Sequence, residues 1–189
     1  MRRPPAPVQV LDPQHFRRVL GHFATGVTVI TAVDGGEPVG FTCQSFQSLS
    51  LDPPLVSVAP QRTSTTWPRI RRAGRFCANI LVEGQEELGR RFARTGTDKF
   101  AGVRWTTSPS GCPVLDDALA WVDCELLREV DAGDHLLVLA SVLDLAVLSD
   151  APPLLFFGGR FASLRPSSPR PPIEDAVDRD SGRSSGSDA

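Results

Sequence analysis

His135 stands where a histidine needs a reason. It follows the turn-like Asp131–Gly133 and Asp134, and it directly precedes the apolar run Leu136–Ala140. Imidazole combines an apolar body with two polar nitrogens. At the mouth of a strand it can hold a substrate's polar group, or it can simply be satisfied by Asp134 or by backbone. No G-x-S-x-G nucleophile motif accompanies it, so the partners for acid–base or acyl-transfer chemistry are lacking.

Three further segments carry polar chemistry. In GFTCQSFQSLSLDPP, the residues Thr42, Gln44, Ser45, Gln47, Ser48 and Ser50 form a dense series of hydroxyls and amides. Such a series suits the rim of a planar heterocycle with alternating donors and acceptors, and a solvated edge strand with turn-forming serines reads the same way. In APQRTSTTW, Ser64, Thr65 and Thr66 fall between a strand and a helix start, with Arg62 nearby. Free N–H groups there attract an anion, although ordinary helix capping accounts for the same residues. In TGTDKF, Lys99 and Phe100 place a cation beside an aromatic ring, able to meet a phosphate and to cover a cofactor, or to sit in solvent.

The elements that must position these residues follow from local pattern. DPQHFRRVLGHFA predicts a first helix, with Asp12 as cap, Pro13 at the first helical position and Phe16, Val19, Leu20 and Phe23 on one face. GVTVITAV is β-branched and predicts a strand, DGGEP a turn, and VGFTCQSFQSLSL a second, more polar strand or strand-loop. PPLVSVA and RFCANILV predict strands on either side of a short helix in TSTTWPRIRRAG, ended by Gly74. GQEELGRRFART predicts an amphipathic helix, with Leu88 and Phe92 on one side and Glu86–Arg90 and Glu87–Arg91 ion pairs on the other. After a loop, LAWVDCELLREV and HLLVLASVLDLAVL are the two longest strands, joined by DAGD as a hairpin. PLLFF and RFASL flank Gly158-Gly159 in a last hairpin. Strands outnumber helices and do not alternate regularly with them. This predicts a mainly β fold, an antiparallel barrel with a few peripheral helices, and not a doubly wound sheet. No G-x-G-x-x-G follows a strand, so a Rossmann nucleotide site is unsupported.

Composition bounds the rest. The 189 residues carry 20 basic and 22 acidic side chains, a near-neutral balance that announces neither a nucleic-acid nor a membrane surface. No apolar run approaches the ~20 residues of a membrane-spanning helix, and prolines interrupt any signal core at the N-terminus, which reads as a cytoplasmic protein. Cys43, Cys77, Cys112 and Cys124 come no closer together than twelve positions, and His15, His22 and His135 show no ligand spacing, so no metal site is expected. The cysteines read as buried structural thiols. Residues 1–11 read as an extended arm, 12–164 as one domain, and 165–189, rich in proline, serine and charge, as a disordered tail.

Taken in order, FATGVTVIT, GFTCQSFQSLSLDPPLVSV, RFCANIL, DKF, GCPVLDDALAWVDCELL, GDHLLVLASVLDL and PLLFFGGRF resemble the flavin reductase family, over Phe16 to Leu164. The resemblance implies an FMN-binding split barrel, an antiparallel Greek-key fold. It implies a homodimer that transfers hydride from NADH or NADPH to FMN, FAD or riboflavin and passes reduced flavin to a separate monooxygenase. Carried over by position, Thr42, Cys43, Gln44 and Ser45 would border the isoalloxazine edge, and Ser48, Leu49 and Ser50 would continue that wall. Val58, Ala59, Ser64 and Thr65 would line the ribityl and phosphate end, with Lys99 and Phe100 approaching from a later loop. His135 would contact the nicotinamide nucleotide, and Phe157, Gly158, Arg160 and Phe161 would share in that nicotinamide site while closing over the flavin's outer face. Gln44 stands where relatives often carry Asn or Ser. Phe157 and Phe161 keep a stacking face without the hydroxyl of the tyrosine frequent there. A non-catalytic flavin carrier or sensor and a split-barrel oxidase with a basic phosphate site at Arg69, Arg71, Arg72 and Arg75 are the rival readings. Binding of single-stranded nucleic acid is disfavoured by the charge balance.

Overall fold

The computed structural model describes residues 11–96 and 98–164. The expected tail at 165–189, and the expected arm apart from Leu11, lie outside the described residues.

Local signals place the first elements. Helix α1 (Pro13–Leu20) starts at Asp12, whose carboxylate accepts from the backbone N–H groups of Gln14 and His15 at 3.1 Å. After the two-residue strand β1 (Thr25–Gly26), β2 (Thr28–Asp34) is buried along most of its length. Gly35 and Gly36, both at positive φ (62° and 87°), turn the chain tightly into β3 (Glu37–Cys43). The polar stretch that followed as one strand or strand-loop is interrupted at 44–46, and pairing resumes in β4 (Gln47–Leu51) and β5 (Pro54–Val58).

Helix α2 (Trp67–Ala73) ends at Gly74 in the left-handed region, and β6 (Arg75–Ile80) leads to α3 (Glu86–Ala93). Of the two ion pairs expected along α3, only Arg90–Glu86 forms, at 3.8 Å; the Arg91 guanidinium donates to the Ala101 carbonyl instead. The segment expected to be loop contains a small hairpin of β7 (Trp105–Thr107) and β8 (Pro113–Leu115). The long strands β9 (Ala120–Ala132) and β10 (His135–Val147) form the expected hairpin, and β11 (Leu155–Phe157) and β12 (Arg160–Ala162) form the last one.

Seven strands make one antiparallel sheet in the order β3-β2-β6-β9-β10-β5-β4, beside smaller sheets β1-β11-β12 and β7-β8. The predicted mainly β, antiparallel fold with peripheral helices is therefore observed. Ile30, Val58, Phe76 and Val138 fill the interior, closed by Trp67 and Ile70 of α2. A second cluster joins Val27, Val29, Leu81 and Leu115 to Phe92 of α3. Asn79 is fully buried, yet it donates to Val29 O at 3.1 Å and accepts from the Leu115 backbone N–H at 2.8 Å, so its amide is satisfied. The apolar face of α1 behaves differently: Phe16, Val19 and Leu20 are 50%, 53% and 55% exposed, and Phe23, which lies beyond the end of the helix rather than on it, is 76% exposed. Among the described residues no helix is long and apolar enough to cross a membrane.

Candidate functional site

A cavity of about 520 Å³ opens where the end of β3, the 59–66 segment before α2, the end of α3 and the mouth of β10 converge. Its size is that of a small-molecule site. Thr42, Cys43, Gln44, Ser45, Ala59, Ser64, Thr65, Lys99 and His135, named separately from sequence, all line it. The break between β3 and β4 releases the backbone at Gln44–Phe46 from the ladder. Ser45 then bridges back to β5, its hydroxyl accepting from the Ala59 N–H at 2.8 Å and lying 3.2 Å from the Cys43 sulfur. Thr42 fastens the same wall to α3 by donating to Gly89 O at 2.6 Å. Gln44 and Ser45 are exposed, so one end of the cavity is a fixed polar rim.

The opposite wall is cationic. Lys99 is half-buried, and its ammonium donates to the carbonyls of Gly40 (3.0 Å) and Phe92 (3.1 Å). Burial pushes its pKa below the ordinary lysine value. An ammonium has three N–H donors, so one remains. Arg94 lines the same cavity, and none of the described lining residues is a carboxylate. Among the described residues neither Lys99 nor Arg94 forms an ion pair. A half-buried cation without a counter-charge is costly unless an anion meets it. These residues therefore fit a ligand that carries phosphate at one end and a hydrogen-bonding heterocycle at the other.

Gly40 sits where β3 passes Phe92 of α3. A Cβ there would lie 2.8 Å from Ile30 O and 2.9 Å from Phe92 Cε1, so only glycine allows β3 to run this close to α3.

His135 stands at the mouth. Its Nδ1 is 2.8 Å from Asp134 Oδ1, which holds the Asp134 carboxyl below its usual range. A carboxylate can only accept, so Nδ1 carries the proton of this contact and Nε2 is the nitrogen left to face a ligand. The contact read from sequence as a satisfied histidine thus also orients the ring. Arg62, expected to add charge beside Ser64, does not line the cavity: it clamps the β9–β10 turn, donating to Gly133 O at 2.8 Å and pairing with Asp131. Ser64 lines the cavity and accepts from the Trp67 N–H, the first of α2, at 3.0 Å, whereas the N-cap residue itself, Thr66, makes no side-chain capping bond.

Other expected residues lie elsewhere. Ser48, Leu49 and Ser50 belong to β4, outside the cavity wall, and Val58 is fully buried in the core. Phe100 lines an adjoining cavity. Phe157, Gly158, Arg160 and Phe161 form the β11–β12 hairpin, which docks on helices α1 and α3. The Gly158 N–H donates to Gly21 O at 2.8 Å, His22 meets Phe157 edge-on at 6.3 Å, and the Arg90 guanidinium stacks 4.8 Å over Phe161. Within one chain these four residues do not reach the cavity that holds His135. Conversely, Arg94 and Gln61 line the wall and were not singled out from sequence. The only local sign of Arg94 was a basic residue at a helix end.

Residues 20–165 match the model of the flavin reductase like domain. The reductase subunit HsaB of a flavin-dependent monooxygenase from Rhodococcus jostii is 47% identical over 163 residues, covering 86% of this chain and 84% of that protein. The crystal structure of nitrilotriacetate monooxygenase component B from Mycobacterium thermoresistibile superimposes with a TM-score of 0.80 at 44% identity, covering 88% of this chain and 94% of that one. The NADH:FAD oxidoreductase SgcE6 of Streptomyces globisporus, in complex with NAD and FAD fragments, gives a TM-score of 0.78 at 36% identity, covering 85% and 99%. With the match spanning most of the described fold and its polar cavity, the chain belongs to the flavin reductase family.

Proposed function

We propose that the chain is an NAD(P)H-dependent flavin reductase and that the cavity at Gln44–Ser45, Lys99 and His135 is where flavin and nicotinamide nucleotide meet. The observation that carries this is the cavity's polarity: a fixed hydrogen-bonding rim at one end, and Lys99 and Arg94 without a carboxylate at the other. Flavin supplies a hydride acceptor and the nicotinamide a hydride donor, so the chemistry lies in the two nucleotides. The chain's residues bind and align. Thr42, Cys43, Gln44 and Ser45 present donors and acceptors to the ring edge, and Lys99, with Ser64 and Thr65 beside it, holds the phosphate end. His135 offers Nε2 to the nicotinamide nucleotide, its ring fixed by Asp134. No side chain has to move a proton for a direct hydride transfer, which agrees with the lack of a nucleophile or acid–base motif.

The relatives' role as reductase subunits supports delivery of reduced flavin to a separate monooxygenase. The exposed apolar face of α1, together with Leu127, Leu145 and Val147 on the long hairpin (56%, 59% and 71% exposed), supports a homodimer. Phe157 and Gly158 abut α1, so a nicotinamide role for them requires that this surface meet a second chain. Four unpaired, buried thiols fit a cytoplasmic location. The oxidase reading loses its phosphate site: Arg69 and Arg72 pair with Asp34, Arg71 with Glu129 and Arg75 with Glu125.

The test is oxidation of NADH and NADPH by the purified protein with FMN, FAD and riboflavin added in turn. Turnover that rises and saturates with flavin is expected. Flavin binding without oxidation of either nicotinamide would favour the carrier reading.

A further inference from the structure

We propose that a second cavity is an adenylate subsite and that the chain therefore favours FAD over FMN; the proposal rests on the flavin reading above. This cavity, of about 760 Å³, adjoins the first, and Thr65, Thr66 and Lys99 line both. One wall is aromatic. Phe100 packs edge-to-face on the buried Phe92 at 5.0 Å and on Trp105 at 6.4 Å, so Trp105 is held in a ladder of three rings while remaining 36% exposed.

The second cavity, unlike the first, is lined by carboxylates as well as cations. Glu37 and Asp98 line it. Arg69, its cation besides the shared Lys99, is committed at 2.8 Å to both Asp34 and Glu37. Beyond Lys99 such a wall offers no uncommitted cation to a further phosphate, and it accepts a flat, neutral base that carries amino donors. Adenine meets that description, with a face for Trp105 and an exocyclic amino group for a carboxylate. Polar rim, shared cation, then aromatic wall is also the order of groups along FAD: heterocycle, phosphates, adenine. FMN ends at the shared cation and leaves Trp105 without a partner.

The experiment is equilibrium titration of the full chain with FAD, FMN and riboflavin, read by flavin fluorescence, for wild type, Trp105→Ala and Trp105→Leu. Stacking of one base on an aromatic side chain predicts that wild type binds FAD about tenfold or more tightly than FMN. Both variants should bring that ratio to within about twofold, because neither presents a flat ring. Trp105→Leu keeps bulk against Phe100, should the alanine variant not fold. Equal affinity of wild type for FAD and FMN overturns the proposal alone, as does a preference that survives both substitutions. A variant that leaves the ratio intact but raises the KM for NADH assigns the cavity to the nicotinamide nucleotide instead and likewise overturns it. Failure of all three flavins to bind sinks the reductase reading, and this proposal with it.

Discussion

Replacing Lys99 with methionine tests the proposed contact with the flavin phosphate apart from any contact with the ring. The wild-type ammonium spends two donors on Gly40 O and Phe92 O and, among the described residues, has no carboxylate partner. A hydrogen bond to a charged group contributes about 1.5–3 kcal/mol, or roughly 12- to 150-fold in affinity. The cavity is open to water, so the lower part of that range is expected, about tenfold to thirtyfold for FMN. Methionine also leaves two carbonyls without their donor, at about 1 kcal/mol each, but that loss acts on the fold and falls on every ligand alike. Riboflavin, which lacks the phosphate, is therefore the internal control. The assay is parallel titration of Lys99→Met and wild type with FMN and riboflavin at low and high salt. FMN affinity should fall while riboflavin affinity changes by less than about threefold, and added salt should shrink the difference. Because burial lowers the lysine's pKa, the wild-type preference for FMN over riboflavin should decline with rising pH before the ordinary lysine value of 10.5 is reached. Equal weakening of both flavins would refute the phosphate contact and leave Lys99 a structural tie.

His135→Ala removes one hydrogen-bonding nitrogen from the mouth, so steady-state kinetics should show the apparent KM for NADH raised about threefold to tenfold, with flavin affinity retained. Asp34 is held at a pKa of about 2 by hydrogen bonds from Arg72 and Arg69, against an ordinary 3.8. Its folded pKa is depressed, so its contribution to stability is complete above about pH 4 and is lost as pH falls toward 2. Acid unfolding of Asp34→Asn should lack that part of the wild-type pH dependence. Gly40→Ala puts a Cβ 2.8 Å from Ile30 O and should cost about 1–3 kcal/mol, read as a lowered Tm. Phe16→Glu with Leu20→Glu places charge on the exposed face of α1; sedimentation should show the proposed dimer for wild type and monomers for the variant.

How much could be read from sequence depended on whether the determinant was local. Asp12 and Pro13 announced α1, and Gly35-Gly36 announced the first hairpin, because a cap or a positive φ is decided within a few residues. The β7–β8 hairpin gave no such signal. Its strands are three residues long, and the backbone of Leu115 is fixed by Asn79, 36 positions earlier. Within the site, residue type was legible and partnership was not. Arg62 and Lys99 are both cations beside polar loops; the fold gives Arg62 a carboxylate in Asp131 and gives Lys99 only carbonyls. That difference decides which of them can serve an anion. The face of α1 shows the same limit, since helical spacing establishes that a face is apolar but not what covers it.

The site's chemistry explains why so little of it looks catalytic. When two nucleotides exchange hydride directly, the protein's task is alignment, which backbone, hydroxyls and fixed cations perform as well as titrating side chains do. Three of the lining residues are accordingly tied to protein atoms: Thr42 to Gly89, Ser45 to Ala59, and Ser64 to Trp67. These ties hold the wall rigid before any ligand arrives, so ligand binding need not bear the cost of ordering it. Lys99 differs in being rigid and under-compensated at once, held by two carbonyls that position its charge without neutralising it. A site arranged this way selects a ligand by where its phosphate lies relative to its ring. On the proposed binding, discrimination among flavins should therefore be decided at Lys99 and beyond, while the rim at Gln44 and Ser45 should treat the shared isoalloxazine of all three alike.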